Sequence, residues 1–292
     1  MSIKTNCELP LCLMDKNNEL NTYDFVLFHL YISNKEYREY FLNQRVEHPD
    51  RLMILDNSAY EFYVKGETLN LYDFYCAIVE LKPDIYLLPD TLMNKQKTLE
   101  DTKSFRNEYG INIILKAGSL PMAVLQGNTP EELLECAKEY KDMGISHIAV
   151  PFHNRFFFEL GKKIDPFTKE AFDKWHGFRG TTEDTCYAMG RIKFLHDYSK
   201  QIFSKCEDIE HLHLLGSHDP FEKVIYNMWI PDLQGLPITM DTGYPVKCGI
   251  KGVQIGMEET KPDVIIDEFL EKELDENIKY RIEENVKIFR DL

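Results

Sequence analysis

The chain of 292 residues lacks the short motifs that define several large classes of enzyme. It has no Walker phosphate-binding loop, no G-x-S-x-G, no H-E-x-x-H and no C-x-x-C, and no G-x-G-x-x-G opens a helix. Phosphoryl transfer at a Walker site, serine hydrolysis and zincin chemistry therefore have no support in the sequence.

Long apolar runs and paired cysteines are missing too. No apolar stretch approaches the ~20 residues that a membrane-spanning helix requires, and the N-terminal segment lacks the apolar core of a signal peptide. The seven cysteines are scattered, and an odd, unpaired set is typical of reduced thiols inside a cell. We therefore expect a cytoplasmic protein with no membrane partner.

Positive charge is in short supply, since 34 Lys and Arg face 49 Asp and Glu, for a formal net charge of −15. Such a chain does not coat nucleic acid non-specifically, because the phosphate backbone repels it. It can still grip a polynucleotide locally, and the stretch 153–200 carries more basic than acidic side chains. We expect any polyanion to bind through this middle part.

Short apolar runs alternate with helix-like segments along the chain. The predicted strands lie in the ranges 23–32, 52–55, 84–90, 122–125, 146–151, 211–217, 236–241 and 252–256. A clear helix signal is TPEELLECAKEYKDMG, with Thr129 as N-cap, Pro130 in the first turn and Gly144 as the stop. About eight strands alternating with helices predict an α/β fold, a TIM-like (β/α)8 barrel.

Two questions about this fold remain open in the sequence. INIILK (111–116) is also strand-like and competes with 122–125 for the fourth strand, and a doubly wound open sheet is the rival fold. We predict one domain over 1–292. Residues 152–209 are too long for a barrel connection and form a predicted insertion between strands 5 and 6, with a helix from 184 to 203. The tail 258–292 is predicted to be helical.

Five apolar runs end in an unusual polar residue or a glycine: Asp56, Asp90, Gln126, Gly216 and Asp241. A buried strand gains nothing from a carboxylate at its end, because an ionised acid there must be desolvated or paired. In a parallel barrel the carboxyl ends of the strands meet at one rim, so we expect these groups to share a cavity. Paired carboxylates of this kind are the tools of glycosidic-bond chemistry.

A structural interpretation competes with the catalytic one for two of these acids. Asp56-Asn57-Ser58 and Asp90-Thr91 lie where a strand-to-helix turn favours an N-cap.

Asp241 is distinguished by the segment DTGYP that follows it, in which Gly243 and Pro245 predict a tight turn that fixes the carboxylate. Lys247 places a cation a few residues further on. A solvated turn aspartate is the alternative.

Gln126 and Gly127 offer an amide beside a residue without a side chain, so a flat ring could approach the backbone closely. Tyr60, four residues after Asp56, could stack on a planar substrate. Both Gln126 and Tyr60 also fit ordinary surface and packing roles.

Two further chemistries are conceivable from single residues. His211 and His213 alternate along one strand, with His218 and Asp219 nearby, which permits a metal site but equally permits hydrogen-bonded core histidines. Lys116 ends the strand-like run INIILK and could form a Schiff base if it were buried, or simply begin a loop.

Five blocks occur in the order found in the tRNA-guanine (queuine) transglycosylases, and the chain resembles most closely the DNA-acting 7-deazaguanine transglycosylases of phages and bacteria. LDNSAY resembles D-S-G-G-F, LLPD resembles the acid that reads the base, and LQGN resembles V-Q-G-G. HLHLLGS resembles the strand before the nucleophile, and MDTGYPVKCG resembles D-x-x-x-P-x-R. The blocks fall within residues 50–255.

This resemblance implies a role for each matched residue. Asp241 would be the nucleophile that attacks C1′, and Asp56 the acid/base for the departing and arriving bases. Asp90 would bond the N1 and N2 edge of guanine, Gln126 would contact its O6 side, and Tyr60 would cover the ring.

Other positions follow from the same match. The remaining predicted substrate-binding residues are Asn57, Gly127 and Gly216. The residues predicted to contact phosphates are Lys247, Arg155, Lys162 and Lys163. The three consecutive phenylalanines at 156–158 would be a wedge between bases or a small local core.

The chain departs from the tRNA enzymes behind the nucleophile. Their zinc motif, C-x-C-x-x-C with a distant His, is missing, since only Cys248 follows Asp241 and no histidine lies beyond His218. Val150-Pro151 also replaces an expected glycine pair. We therefore predict no metal cofactor, and DNA as the polynucleotide partner, with tRNA as the alternative.

The predicted function is that of a pentosyltransferase, a DNA-guanine transglycosylase that exchanges guanine for free 7-cyano-7-deazaguanine or a derivative through a covalent aspartyl intermediate. If a phage encodes it, the compartment is the host cytoplasm. The alternatives are a glycosidase, a Schiff-base aldolase and an inactive barrel that binds nucleic acid.

Overall fold

The eight strands of this computed structural model are parallel and form a nearly closed barrel with helices around it, an α/β fold of TIM type. The structure describes residues 3–164, 182–204, 209–218, 222–230, 233, 235–255, 264–269 and 272–292. Around the sheet the strand order is β1-β8-β7-β6-β5-β4-β3-β2. The predicted barrel is confirmed, and the rival open doubly wound sheet is wrong.

The strands are β1 Lys4–Cys7, β2 Asp24–Leu27, β3 Met53–Asp56, β4 Ile85–Leu87, β5 Leu120–Val124, β6 His147–Val150, β7 His211–Leu214 and β8 Ile238–Thr242. The helices up to β6 are α1 Asn17–Leu20, α2 Phe28–Ser33, α3 Lys35–Glu47, α4 Ala59–Lys65, α5 Leu71–Leu81, α6 Lys95–Phe105, α7 Ile111–Ala117 and α8 Pro130–Asp142. Those after β6 are α9 Arg155–Lys162, α10 Thr182–Ser204, α11 Glu222–Trp229, α12 Tyr244–Ile250 and α13 Glu276–Asp291. Short 3₁₀ turns occupy Leu11–Lys16 and Ile266–Phe269, and a π turn occupies Arg106–Gly110.

Local chemistry explains where α8 begins and ends. The Thr129 side chain accepts a hydrogen bond from the Glu132 N–H at 3.2 Å, and Pro130 occupies the first turn. Gly144 beyond the helix has φ +69°, a left-handed conformation that glycine adopts without a steric penalty. The predicted N-cap is confirmed.

The structure excludes the alternative fourth strand, shortens one predicted strand and does not contain another over its described residues. INIILK lies in α7, so the fourth predicted strand is the one at β5. The run 23–32 is divided, because β2 ends at Leu27 and α2 follows directly. The predicted strand 252–256 is absent over 252–255, and residue 256 lies outside the described part of the chain.

The barrel strand that sequence reasoning missed is β1. It pairs with β8 in parallel register, with Asn6 opposite Asp241. Its sequence KTNC contains no apolar run, so periodicity gives no signal there. Because β1 shifts the numbering by one, the predicted insertion lies between β6 and β7.

The chain divides into two compact units. One comprises Met1–Thr22, Pro151–Lys205 and His213–Leu292, and the other comprises Tyr23–Val150 and Cys206–Leu212. The single-domain interpretation stays a prediction. Within the predicted helical tail, α13 covers Glu276–Asp291 and contributes buried Ile282, Val286 and Phe289, whereas residues 272–275 are not helical.

The predicted helix 184–203 is confirmed as α10, and it packs very closely against α9. A Cβ placed on Gly161 would lie 1.9 Å from the Cys186 carbonyl oxygen, and one on Gly190 would lie 1.8 Å from the Phe157 carbonyl oxygen. Phe157 is fully buried, with its ring 5.4 Å from that of Phe194. The contacts of Phe157 therefore match the local-core interpretation of the three phenylalanines and not a wedge.

The glycines at this crossing provide a stability test. We expect Gly161→Ala to lower the free energy of unfolding by about 1–3 kcal/mol, because the new methyl meets backbone that cannot rotate away. Gly110→Ala is the matched control, since its Cβ would have no neighbour closer than 3.8 Å. Urea denaturation of both variants measures the difference, and equal losses would contradict the close crossing.

Candidate functional site

Asp241 lies near the end of β8, and one oxygen of its carboxylate contacts two neighbouring groups. The backbone N–H of Gly216 donates to Oδ1 at 2.9 Å, and Nε2 of His213 lies 3.1 Å from the same oxygen. Among the described residues, no hydrogen-bond donor to Oδ2 is found. The Gly216 N–H therefore fixes the direction of one oxygen of the buried carboxylate.

The turn after β7 directs the Gly216 N–H toward Asp241. Gly216 has φ +63°, which places its N–H toward Asp241 at no cost in strain. The next N–H, of Ser217, donates to the Asp241 carbonyl oxygen at 2.9 Å. His213 is oriented from its other side, where Nδ1 lies 2.7 Å from the Thr239 hydroxyl.

A fully buried ion pair between Arg191 and Glu222 contacts the same turn. Arg191 of α10 donates from Nε and Nη2 to the two carboxylate oxygens of Glu222, at 2.8 and 2.7 Å, and both side chains are 0% exposed. Its Nη1 donates to the Leu215 carbonyl oxygen at 2.7 Å. The hydroxyls of Ser217 and Tyr226 also donate to Glu222, at 2.7 and 2.6 Å.

Burial shapes the titration of this region. Desolvation opposes the charged form of Arg191, but the Glu222 carboxylate outweighs it and raises the pKa of Arg191. Burial, followed by Glu222, raises the pKa of Tyr226 well above its usual value. Burial likewise raises the pKa of the Cys7 thiol, with Glu8 and Asp241 adding to the effect. Cys7 is therefore a thiol and not a nucleophilic thiolate.

The second unit contains a chain of side-chain hydrogen bonds at the ends of β3, β4 and β5. Asn57 Nδ2 donates to one oxygen of Asp90 at 2.8 Å, and Gln126 Nε2 donates to the other at 2.7 Å. The Met93 N–H in turn donates to Gln126 Oε1 at 2.8 Å. Desolvation raises the pKa of Asp90, although the two amide donors oppose the shift.

Asp56 holds the turn before α4 and does not cap the helix, whose N-cap is Ser58. It is buried, and its Oδ2 accepts a hydrogen bond from the Ser58 N–H at 2.8 Å, as a residue before a helix does. Ser58 has φ +56°, a strained conformation for a residue with a side chain, at the start of α4. Asn57 Oδ1 accepts from the Ala59 N–H at 2.8 Å. The acid/base role of Asp56 is compatible with this geometry and stays a prediction.

Gly127 and Tyr60, which the sequence predicted to contact a flat ring, lie in different surroundings. A Cβ on Gly127 would lie 2.7 Å from the Glu132 Cβ, so close packing on α8 explains the glycine there. Tyr60 is 48% exposed, which leaves one part of its ring for a ligand. Their contacts with a base stay predictions.

The predicted phosphate-binding residues all lie on helices. Arg155, Lys162 and Lys163 are exposed in or just after α9, and Lys247 is half-buried in α12. Lys162 lies 3.4 Å from Glu159 and 5.0 Å from the centre of the Phe158 ring.

The structure does not support two alternatives from the sequence, a metal bound by His211 with His213 and a Schiff base on Lys116. His211 contacts His147, with ring centres 5.7 Å apart, whereas Nε2 of His213 lies 3.1 Å from the Asp241 carboxylate. The two histidines therefore have separate partners and do not form a metal-binding pair. Asp219 lies outside the described residues. Lys116 is exposed in a helix and donates to the Tyr75 hydroxyl at 2.9 Å, a bond that raises its pKa. A Schiff-base lysine needs the opposite shift.

The predicted site residues therefore fall into two sets, each inside one compact unit. The first joins Asp241 with Gly216, and the second joins Asn57, Asp90 and Gln126. That both sets act on one substrate stays a prediction. Sequence reasoning missed Arg191 and Glu222, since a lone arginine and glutamate 31 positions apart carry no local signal.

Neither models of known protein families nor curated proteins match this chain. Within the part of the chain that the structure describes, no helix combines the length and the apolar character needed to cross a bilayer.

The buried ion pair generates a stability prediction. Glu222→Gln leaves Arg191 charged and only partly paired, and we expect it to lower the free energy of unfolding by about 3–5 kcal/mol. Lys193→Met is the matched control, because Lys193 pairs with Asp197 on the exposed face of the same helix and such pairs contribute about 0–1 kcal/mol. Thermal and urea unfolding measure both, and a small loss in Glu222→Gln would contradict this account.

Proposed function

We propose that the protein is a DNA-guanine transglycosylase that replaces guanine by a 7-deazaguanine base through a covalent intermediate on Asp241. The observation that carries the proposal is the buried carboxylate of Asp241, whose Oδ1 accepts a hydrogen bond from the Gly216 N–H and whose Oδ2 has no hydrogen-bond donor among the described residues. A nucleophile needs this combination of fixed direction and a reactive atom. The order of the matched sequence blocks supplies the substrate.

In the first step, Oδ2 of Asp241 attacks C1′ of the target nucleotide, and the bond from C1′ to N9 of guanine breaks. The electron pair leaves with guanine, and a proton supplied by an acid neutralises the base; the proposal assigns this acid to Asp56. The product is an ester between Asp241 and the deoxyribose. The backbone N–H of Gly216 donates to Oδ1 and keeps the carboxylate oriented before the attack.

In the second step, the 7-deazaguanine base loses its N9 proton to the ionised Asp56, and N9 attacks C1′. The ester bond breaks, and the carboxylate of Asp241 is restored. Recognition of the purine is assigned to the second set, in which the amide groups of Asn57 and Gln126 hold the Asp90 carboxylate in one orientation. A carboxylate so fixed can accept the N1–H and N2–H donors of guanine.

DNA is the proposed polymer because the zinc motif of the tRNA enzymes is missing from the sequence. The exposed basic side chains of α9 and its end would contact phosphates, and their affinity would fall with salt. A guanine inside a duplex must be flipped out or presented on a single strand before C1′ is reached.

The nucleophile assignment has a direct test. We expect Asp241→Asn to reduce release of labelled guanine from DNA by a factor on the order of 10⁴ or more, because an amide oxygen cannot form the ester. Asp50→Asn, at an exposed loop position, is the matched control and is expected to retain full activity. Release is measured on DNA and on tRNA, with and without 7-cyano-7-deazaguanine.

Each other result has a distinct meaning. Release from tRNA alone would support the tRNA alternative and contradict DNA as the polymer. Retained DNA affinity with no release from any substrate would indicate a binding barrel. Undiminished release by Asp241→Asn would contradict the nucleophile.

The base-recognition assignment predicts a different kinetic signature. Asp90→Asn replaces an acceptor of two hydrogen bonds with a mixed donor and acceptor, so we expect the KM for the free base to rise about 10- to 100-fold. Asp142→Asn is the control, since Asp142 is exposed at the end of α8, outside the hydrogen-bond chain. An unchanged KM in Asp90→Asn would remove Asp90 from base recognition.

A further inference from the structure

Three side chains of the first unit converge around a point that the proposed reaction does not use. They are His153, just after β6, Asp184 in the first turn of α10, and His218 after β7. One ligand atom from each lies within 4.8 Å of the others. From the sequence, His218 is a possible ligand, but it is not grouped with His153 and Asp184, which lie 65 and 34 positions away along the chain.

We propose that His153, Asp184 and His218 bind a divalent first-row transition-metal ion such as Zn²⁺. This inference rests on the cluster itself and is independent of the proposed transferase reaction. Two imidazoles and one carboxylate form a donor set that suits such ions, whereas Mg²⁺ and Ca²⁺ favour oxygen ligands alone.

The spacing of the donors fits the proposal. Metal bonds to nitrogen and carboxylate oxygen are ~2.0–2.2 Å long, which separates neighbouring ligand atoms at a tetrahedral ion by roughly 3.3 Å. His218 Nδ1 and Asp184 Oδ1 are 3.3 Å apart. The ring centres of His153 and His218 lie 4.9 Å apart at 69°, and a ring nitrogen of His153 lies within 4.8 Å of the other two ligand atoms.

The surroundings favour a bound ion over a solvated cluster. His218 and Asp184 are only 11% and 13% exposed. The Phe152 ring lies 4.6 Å from His218, and the Tyr187 ring lies 5.3 Å from His153. An aromatic shell of this kind limits water access and strengthens the attraction between the carboxylate and a cation. Three protein ligands leave at least one coordination position for water.

Metal binding at this point would act on the turn that carries Gly216. His218 follows Gly216 by two residues, and the Gly216 N–H orients Asp241. An ion shared by three separate segments would therefore rigidify that turn. We assign the ion a structural effect there and no step in the base exchange.

The first measurement uses the unmodified protein. After dialysis against a chelator, titration with Co²⁺ is expected to give one equivalent of bound ion and visible absorption bands without a thiolate charge-transfer band, because the donors are nitrogen and oxygen. Zn²⁺ is expected to displace Co²⁺ and raise the melting temperature. Failure to bind one equivalent, or a thiolate band, would overturn the proposal.

Variants then locate the ion. His153→Gln, Asp184→Asn and His218→Gln are each expected to weaken Co²⁺ binding at least 10-fold. His196→Gln is the matched control, because His196 faces Asp197 at 3.0 Å on the exposed side of α10 without a third ligand. Binding that survives all three variants, or that His196→Gln abolishes, would overturn the assignment. If a variant fails to fold, the stoichiometry and spectrum of Co²⁺ in the unmodified protein still support or overturn the proposal.

Discussion

The buried pair of Arg191 and Glu222 is the interaction on which the Asp241 environment depends. A desolvated arginine and glutamate are costly unless every donor and acceptor is used, and here the carboxylate receives hydrogen bonds from the guanidinium and two hydroxyls. The third guanidinium nitrogen, Nη1, donates a hydrogen bond to the Leu215 carbonyl oxygen. The next residue, Gly216, can therefore direct its N–H at Asp241 with little freedom to move.

The two sets of candidate residues follow the same physical rule. In each, a carboxylate at or just beyond a strand end is oriented by amide groups: the backbone N–H of Gly216 for Asp241, and the side chains of Asn57 and Gln126 for Asp90. Polar networks of this kind are stabilising only when they are satisfied, and they then hold side chains in one arrangement. Such preorganisation is what charge stabilisation in catalysis requires.

The sequence predicted the barrel and its polar strand ends because buried strands with carboxylates at their ends are conspicuous. It missed β1, whose four residues lack apolar alternation, and it left INIILK open as an alternative strand because a short apolar run fits a helix equally well. The pairing of Arg191 with Glu222 and the grouping of His153, Asp184 and His218 could not be predicted for another reason. Their partners come together only through the fold, so no spacing along the chain announces them.

The central claim is that Asp241 forms an ester with the sugar of the target nucleotide. The most direct measurement is to incubate the protein with DNA in the absence of an incoming base, quench with denaturant, and map any covalent DNA–protein adduct by mass spectrometry. The account predicts an adduct on the peptide that contains Asp241, formed together with an equal amount of free guanine. Guanine release with the adduct on another residue, or with no adduct under these conditions, would contradict it.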